Sequence, residues 1–277
     1  MSAQAQHAPA PMETSAALLR ADAMLWGCAA LLGGATAGLR LTLPEGALVQ
    51  LGLAALLVLA WQAAWSSLTE MDWRAALRSW RTWSHRRALP RLPYTLPEAP
   101  AARSIAWLEA WISWWQAWLI PHERFRLSAL ALGLISGVVL SVALGSYALA
   151  LTLGVMLVAQ LVVLTNLAQS LVLLGRGLVR LGLPFLLGFS LFNAPDLALT
   201  VMALGLSFAS AGTTLSAPLW RDGSYAVMLG ALLLTRQPIG AFGLGLIWLP
   251  QMLLSPLRHP HLWLLAALTV VSLTLAA

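Results

Sequence analysis

The chain reads as an all-α, polytopic membrane protein of about nine transmembrane helices with an amphipathic helical cap on one side. Three observations lead there. Sixty per cent of the residues are hydrophobic and only 9% are charged, with a mean hydropathy of +0.79, outside the range of soluble globular domains. Several uncharged windows run about 17–22 residues, enough to cross roughly 30 Å of hydrocarbon. The polar residues, in contrast, crowd into one segment: residues 66–126 hold nine of the 16 arginines, five of the ten acidic residues and eight of the 14 tryptophans.

Residues 1–15 are rich in Ala, Pro and Gln and carry no basic n-region, so they read as a mobile tail rather than a cleaved signal peptide. Residues 16–277 read as one transmembrane helical domain. Its first span is expected at 23–39 and its second at 46–67, joined by a turn holding Pro44, Glu45 and Gly46. After the polar segment come 127–144 and 148–165, joined at Gly145. The fifth span covers 178–194 and ends at Asn193-Ala194-Pro195-Asp196. The sixth covers 197–217, the short seventh 223–235, the eighth 238–254 and the ninth 261–277. A single kinked helix over 224–249 would reduce the count to eight. It would also place Arg236 at mid-membrane, where an arginine costs at least ~2.5 kcal/mol, so nine spans are preferred.

Charge supports this count. With the N-terminus inside, 14 of the 16 arginines fall on the inner side and only Arg40 and Arg236 on the outer, the asymmetry of the positive-inside bias. The inner side of a cytoplasmic membrane is therefore the expected location of the N-terminus and of 68–126. The same placement explains the net charge of +6 by topology, with no nucleic-acid partner. Gly34-x-x-x-Gly38 and Gly133-x-x-x-Gly137 offer flat faces for close helix contact. The one cysteine, Cys28, permits no intrachain disulfide.

Within 68–126, Trp73, Leu77 and Trp80 recur at i, i+4, i+7, and Arg74, Arg78 and Arg81 repeat that spacing beside them. In a second amphipathic helix, Trp107, Trp111, Trp114 and Trp118 share a narrow arc, opposite Glu109, Ser113 and Gln116. Helices of this kind lie in the interface, with rings at headgroup depth and arginines toward phosphates. Pro90, Pro93, Pro97 and Pro100 make 84–102 an irregular linker. Three uses fit the segment: an anchoring collar, a cap that draws an anionic or amphiphilic ligand to the bundle, and a docking surface for a protein partner.

Few residues within the spans carry chemistry. Gln62, Gln160 and Asn166 are expected to make interhelical hydrogen bonds. Arg176 and Arg180, one turn apart, either snorkel to headgroups or clamp a phosphate, with Arg124 and Arg126 as further anion-binding candidates. The histidines, His7, His85, His122, His259 and His261, complete no catalytic triad, zinc helix or phosphate loop.

The layout resembles the UbiA-type intramembrane prenyltransferases. The resemblance is carried by Leu18-Leu19-Arg20 with Gly33-Gly34, by Arg124-Phe125-Arg126-Leu127-Ser128 followed by two spans around Gly145, and by Gly212-Thr213-Thr214-Leu215. It implies nine helices running N-inside to C-outside, with a lipid-lined cavity. It also implies aspartate motifs of the NDxxD and DxxxD type, on loops after the second and sixth helices, holding magnesium against a pyrophosphate. Here the sequence departs. After the second span it reads Ser66-Ser67-Leu68-Thr69-Glu70-Met71-Asp72, and after the sixth Ser207-Phe208-Ala209-Ser210-Ala211-Gly212, with no carboxylate before Asp222. Ala and Ser do not replace hard oxygen ligands for Mg²⁺.

The expectation is therefore a non-catalytic UbiA-like protein with no metal site. It would bind an isoprenoid lipid, quinone, carotenoid or chlorin, and serve as accessory subunit to a membrane protein complex, photosynthetic or quinone-using. Two alternatives remain. One is a divergent transferase acting on a polyprenyl diphosphate through Glu70, Asp72 and Asp222 with Arg176 and Arg180. The other is a small-molecule transporter, against which the scarcity of intramembrane ions counts.

Overall fold

The computed structural model describes residues 11–39, 44–69, 71, 73–83, 100–165, 169–215, 217–253 and 260–276. All secondary structure among them is helical. In chain order the helices are α1 (Pro11–Gly38), α2 (Ala47–Thr69), α3 (Trp73–Arg81), α4 (Pro100–Trp114), α5 (Ile120–Leu144), α6 (Ser146–Thr165), α7 (Gln169–Gly177), α8 (Leu183–Ser190), α9 (Leu197–Thr214), α10 (Pro218–Leu234), α11 (Pro238–Leu253) and α12 (Pro260–Ala276). A π turn over Trp115–Leu119 joins α4 to α5, and another over Leu178–Gly182 joins α7 to α8.

Five helical stretches are long and apolar enough to cross a membrane: Ala47–Thr69, Ser104–Leu144, Ser146–Val163, Leu171–Ser190 and Leu197–Thr214. Met24–Gly38, Pro238–Leu253 and Leu262–Ala276 are apolar but shorter.

The ends of these helices follow local chemistry. Asp196 caps α9 by accepting a hydrogen bond from the Leu199 backbone N–H at 2.7 Å, as an N-cap carboxylate does. Pro218 opens α10, where its missing N–H costs nothing. Gly145, at φ +109, makes the turn between α5 and α6. Between α10 and α11 the chain reverses within three residues, with Arg236 at φ +59 and the Gln237 N–H returning to the Leu232 carbonyl at 2.9 Å. Residues 224–249 therefore form two helices packed on one another rather than one kinked helix.

Several expected boundaries move: among them, the helix of the third span begins at Ile120 rather than 127 and the seventh at Pro218 rather than 223. Residues 11–15 of the expected tail belong to α1, while 1–10 lie outside the described residues. The expected linker 84–102 yields its last residues to α4, and 84–99 lie outside the described residues. The fifth span begins earlier than 178, at Gln169, and is broken by its π turn. Both π turns end two residues before a proline, Pro121 and Pro184. A proline withholds a hydrogen bond from the carbonyl four residues back and crowds it. Those carbonyls belong to Ala117 and Arg180, each inside its π turn, and the widened turn is how the helix continues past the obstruction.

Packing rests on small residues. α1 crosses α8 with backbones almost touching. A methyl on Gly34 would collide with the Phe185 carbonyl, one on Gly38 would meet the Phe189 carbonyl at 2.7 Å, and one on Gly188 would collide with the Leu31 carbonyl. Gly133 does the same for α5 on α2, where a methyl would stand 2.9 Å from the Ala60 carbonyl. Gly137 has ordinary clearance, its nearest neighbour being the Thr152 methyl at 3.8 Å. The glycine faces read from the sequence are thus contact faces, most tightly at Gly34, Gly38 and Gly133. α2 is tied to α6 by a buried hydrogen bond from the Trp61 indole to Thr152 Oγ1 at 2.9 Å. One core cluster gathers Trp26, Phe185, Met202, Leu206, Tyr225, Met228, Leu244 and Leu264 from α1, α8, α9, α10, α11 and α12.

Candidate functional site

Polar and aromatic groups concentrate in three places: a tryptophan hairpin, a basic π turn, and a carboxylate between α10 and α11.

The hairpin is α3 against α4. Trp114 donates to Ser79 Oγ at 3.0 Å, and Trp83 donates to Ser113 Oγ at 3.0 Å. Each hydroxyl in turn donates a hydrogen bond to a backbone carbonyl, Ser79 to Ala76 and Ser113 to Ala110. Met71, Ala76, Trp114 and Leu119 are buried there, with Trp73, Trp80, Trp83, Trp115 and Trp118 packed around them. Trp80 meets Trp114 edge-on at 5.6 Å and Trp107 edge-on at 6.3 Å, the favoured geometry for a ring pair.

The four tryptophans expected on one arc instead join two ladders. Trp107, Trp111 and Trp115 form one, with centroids 6.3 and 5.3 Å apart, and Trp107 is 59% exposed. Trp114, Trp118 and His122 form the other, at 5.8 and 5.0 Å, with Trp114 buried. Trp114 and Trp118 of the second ladder pack within the hairpin, as does Trp115 at the end of the first, while Trp107 and Trp111 are exposed. An apolar surface hollow of about 590 Å³, lined by Ser104, Ile105, Trp107 and Leu108, lies on that exposed side.

The second place is built by the π turn of Leu178–Gly182. Gly177 precedes it, Gly182 ends it, and the two straddle Ser207 of α9: a methyl on Gly177 would stand 2.5 Å from the Ser207 carbonyl, and one on Gly182 would strike its hydroxyl. Ser207 is fully buried and donates to Ala203. Arg180, half-buried in the turn, sets its guanidinium carbon 6.0 Å from the centre of the Trp26 ring, within reach of a cation–π interaction. Arg176 is half-buried one turn earlier.

The third place centres on Asp222. Arg221 grips both carboxylate oxygens, Nε to Oδ1 at 2.9 Å and an Nη to Oδ2 at 3.3 Å. Trp248, from α11, donates to the same Oδ1 at 3.3 Å. Nearby on the same two helices, Gln251 Nε2 donates to the Tyr225 hydroxyl at 3.2 Å and to the Ile247 carbonyl at 3.2 Å, Gln251 and Tyr225 being fully buried. Gly212 lets α9 approach, since a methyl there would stand 2.5 Å from the Arg221 nitrogen.

The candidates divide among these places. Arg78 and Arg81 are exposed on α3, and Arg74 lies in that helix with its side chain outside the described residues. Glu70 and Asp72 lie outside the described residues. Arg124 is exposed at the start of α5, while Arg126 pairs with Glu123 at 3.2 Å. Arg124 and Arg126 stand on a helix packed against α2 and α6, whereas Arg176 and Arg180 belong to the unit packed against α1 and α9. The expected interhelical bonds of two glutamines do not form. Both polar atoms of the Gln62 side chain are buried with no partner among the described residues, and Gln160 is exposed. Asn166 lies outside the described residues. Among the described residues no three of His, Cys, Asp and Glu come together as a metal-ligand group.

Sequence reading missed Trp26, Trp248, Tyr225 and Gln251. One signal was available: Asp222 and Tyr225 are three residues apart on one span, as are Trp248 and Gln251 on the next, which sets two polar pairs on facing helix surfaces.

No family model matches the chain, and no curated protein and no solved structure matches it.

Proposed function

We propose that this chain is a non-catalytic membrane subunit on a UbiA-like nine-span scaffold, which holds an isoprenoid-type lipid, quinone or pigment and supports a larger membrane assembly. In this reading the tryptophan hairpin rests on the cytoplasmic face of the inner membrane. Its exposed Trp107 and Trp111 meet headgroups or a partner subunit.

The observation that carries the reading is the state of Asp222. It is the first carboxylate after the sixth expected span, and it is clasped by Arg221 and bonded by Trp248. A carboxylate serving as a Mg²⁺ ligand needs free lone pairs and further oxygen donors beside it. Here the neighbouring charge is a guanidinium, which repels a divalent ion. A pair of such ions is what a polyprenyl diphosphate would require for neutralisation. The order of helices, the single large polar segment after α2 and the glycine-lined crossings support the scaffold part of the proposal.

The test combines two measurements on protein purified from its native membrane. Lipid extraction followed by mass spectrometry is expected to find an isoprenoid-type molecule at close to one per chain. Incubation with Mg²⁺ and a polyprenyl diphosphate plus an acceptor is expected to release no pyrophosphate. Magnesium-dependent release that disappears in Glu70→Ala or Asp72→Ala would replace this reading with the divergent transferase.

A further inference from the structure

α6 carries a polar residue where a span should be apolar. Its outward positions include Ser146, Ala150, Leu153, Leu157 and Gln160, with Leu153 51% and Leu157 60% exposed. Their spacing of four, three, four and three residues is the seam of a left-handed helix pair, with small residues at one end, leucines in the middle and a glutamine at the other. Gln160 lies fifteen residues beyond the Gly145 turn, about 22 Å along the helix. That depth is still inside roughly 30 Å of hydrocarbon, where no water satisfies an amide. Its side chain is exposed and makes no hydrogen bond among the described residues.

We infer that this face of α6 is the contact between two copies of the chain, with Gln160 hydrogen-bonded to Gln160 of the second copy. Self-complementarity decides for a second copy. All copies insert in the same orientation, so a two-fold axis between them runs along the membrane normal and sets α6 parallel to α6. Parallel pairing brings each seam residue opposite itself at equal depth. A carboxamide then matches itself, because each has two N–H donors and one carbonyl acceptor and the two can exchange bonds reciprocally. A single polar residue in an otherwise apolar seam also sets the register of such a pair. The inference does not rest on the lipid-holding reading and survives its failure.

The test is cysteine cross-linking of the full chain in membranes, with Cys28→Ser as background. Leu153→Cys and Leu157→Cys are expected to form disulfide-linked homodimers at least about tenfold faster than Leu246→Cys on α11 or Leu273→Cys on α12, which are equally lipid-exposed. In resonance energy transfer between labelled chains in liposomes, Gln160→Leu is expected to weaken association by about tenfold, the scale of one or two interhelical polar bonds. Gln160→Asn is expected to keep most of it. Equal cross-linking at seam and control positions would overturn the inference. So would unchanged association in Gln160→Leu, or capture of a different protein by the seam cysteines without homodimer. Should Gln160→Leu lose its native thermal transition, the cross-linking comparison, made with Gln160 intact, still decides.

Discussion

The indole N–H of Trp114 is bonded to the hydroxyl of Ser79 at 3.0 Å, and this bond fastens α4 to α3. Its counterpart from Trp83 to Ser113 makes the fastening reciprocal, so the hairpin is held by two bonds of the same kind rather than by ring packing alone.

Removing one hydroxyl strands a buried donor. Ser79→Ala leaves the Trp114 N–H without its partner, at a cost of about 1–3 kcal/mol. Amide hydrogen exchange in α3 is expected to quicken by about tenfold or more, while exchange in α9 stays unchanged. Ser79→Thr, which keeps the hydroxyl, is expected to preserve protection.

The α1–α8 crossing predicts a sharp contrast between glycines. Gly34→Ala forces a methyl into the Phe185 carbonyl and is expected to destabilise the bundle by about 1–3 kcal/mol or more, as overpacking does. Gly52→Ala and Gly154→Ala place their methyls in open space and are expected to be neutral or slightly stabilising, since alanine is the better helix former. Thermal unfolding of the three variants in the same detergent measures the difference. A Gly34→Ala protein as stable as the other two would contradict the contact.

Asp222 predicts a non-additive pair. Asp222→Asn removes the partner of the Arg221 guanidinium, whose side chain is only 12% exposed, and is expected to cost about 1.5–3 kcal/mol. Arg221→Met combined with Asp222→Asn is expected to recover a large part of that loss, because no uncompensated charge remains. Additive losses in the double-mutant cycle would mean that the two residues act separately.

Trp26 predicts a graded effect on the basic π turn. Trp26→Phe keeps a smaller ring beneath Arg180, and Trp26→Leu removes the aromatic face. Since the cation–π contribution runs from about 0.5 to 2 kcal/mol, stability is expected to fall in the order Trp, Phe, Leu. Arg180→Met is expected to erase the difference between the last two in chemical denaturation.

What could be read from the sequence was local or periodic. The apolar stretches, the turn at Gly145, the break at Asn193-Ala194-Pro195-Asp196 and the glycine faces at Gly34 and Gly133 all depend on residues within a few positions of one another, and each has its place in the fold. The two-helix solution around Arg236 followed from the cost of a charge at mid-membrane. The splitting of the tryptophan arc was not legible, because the side of α4 that faces α3 depends on Ser79 and Trp83, which are distant in sequence. The clasp on Asp222 needed Trp248 from another helix, 26 residues on. Glutamines at 62 and 160 were expected to pair with neighbouring helices. The fold buries one unpaired and leaves the other facing outward, because α6 turns Ala148, Thr152, Val155 and Ala159 inward and so sets Gln160 off that face.

The two π turns also have a consequence for which changes in chain length the protein can absorb. Each holds one residue more than an α-helix would use over the same rise, and one residue is worth about 100° of angular phase. Deleting a single residue within Leu178–Gly182 would let the backbone bonds run in regular α register and leave Arg176 and the rest of α7 close to the alignment they hold with α8, at the cost of crowding against Pro184. A one-residue deletion at the turn is absorbed there; the same deletion in the regular helix on either side rotates everything upstream by about 100°. Ahead of Pro121 and Pro184 the chain in effect keeps a place where a lost residue spares the clock positions of two helices.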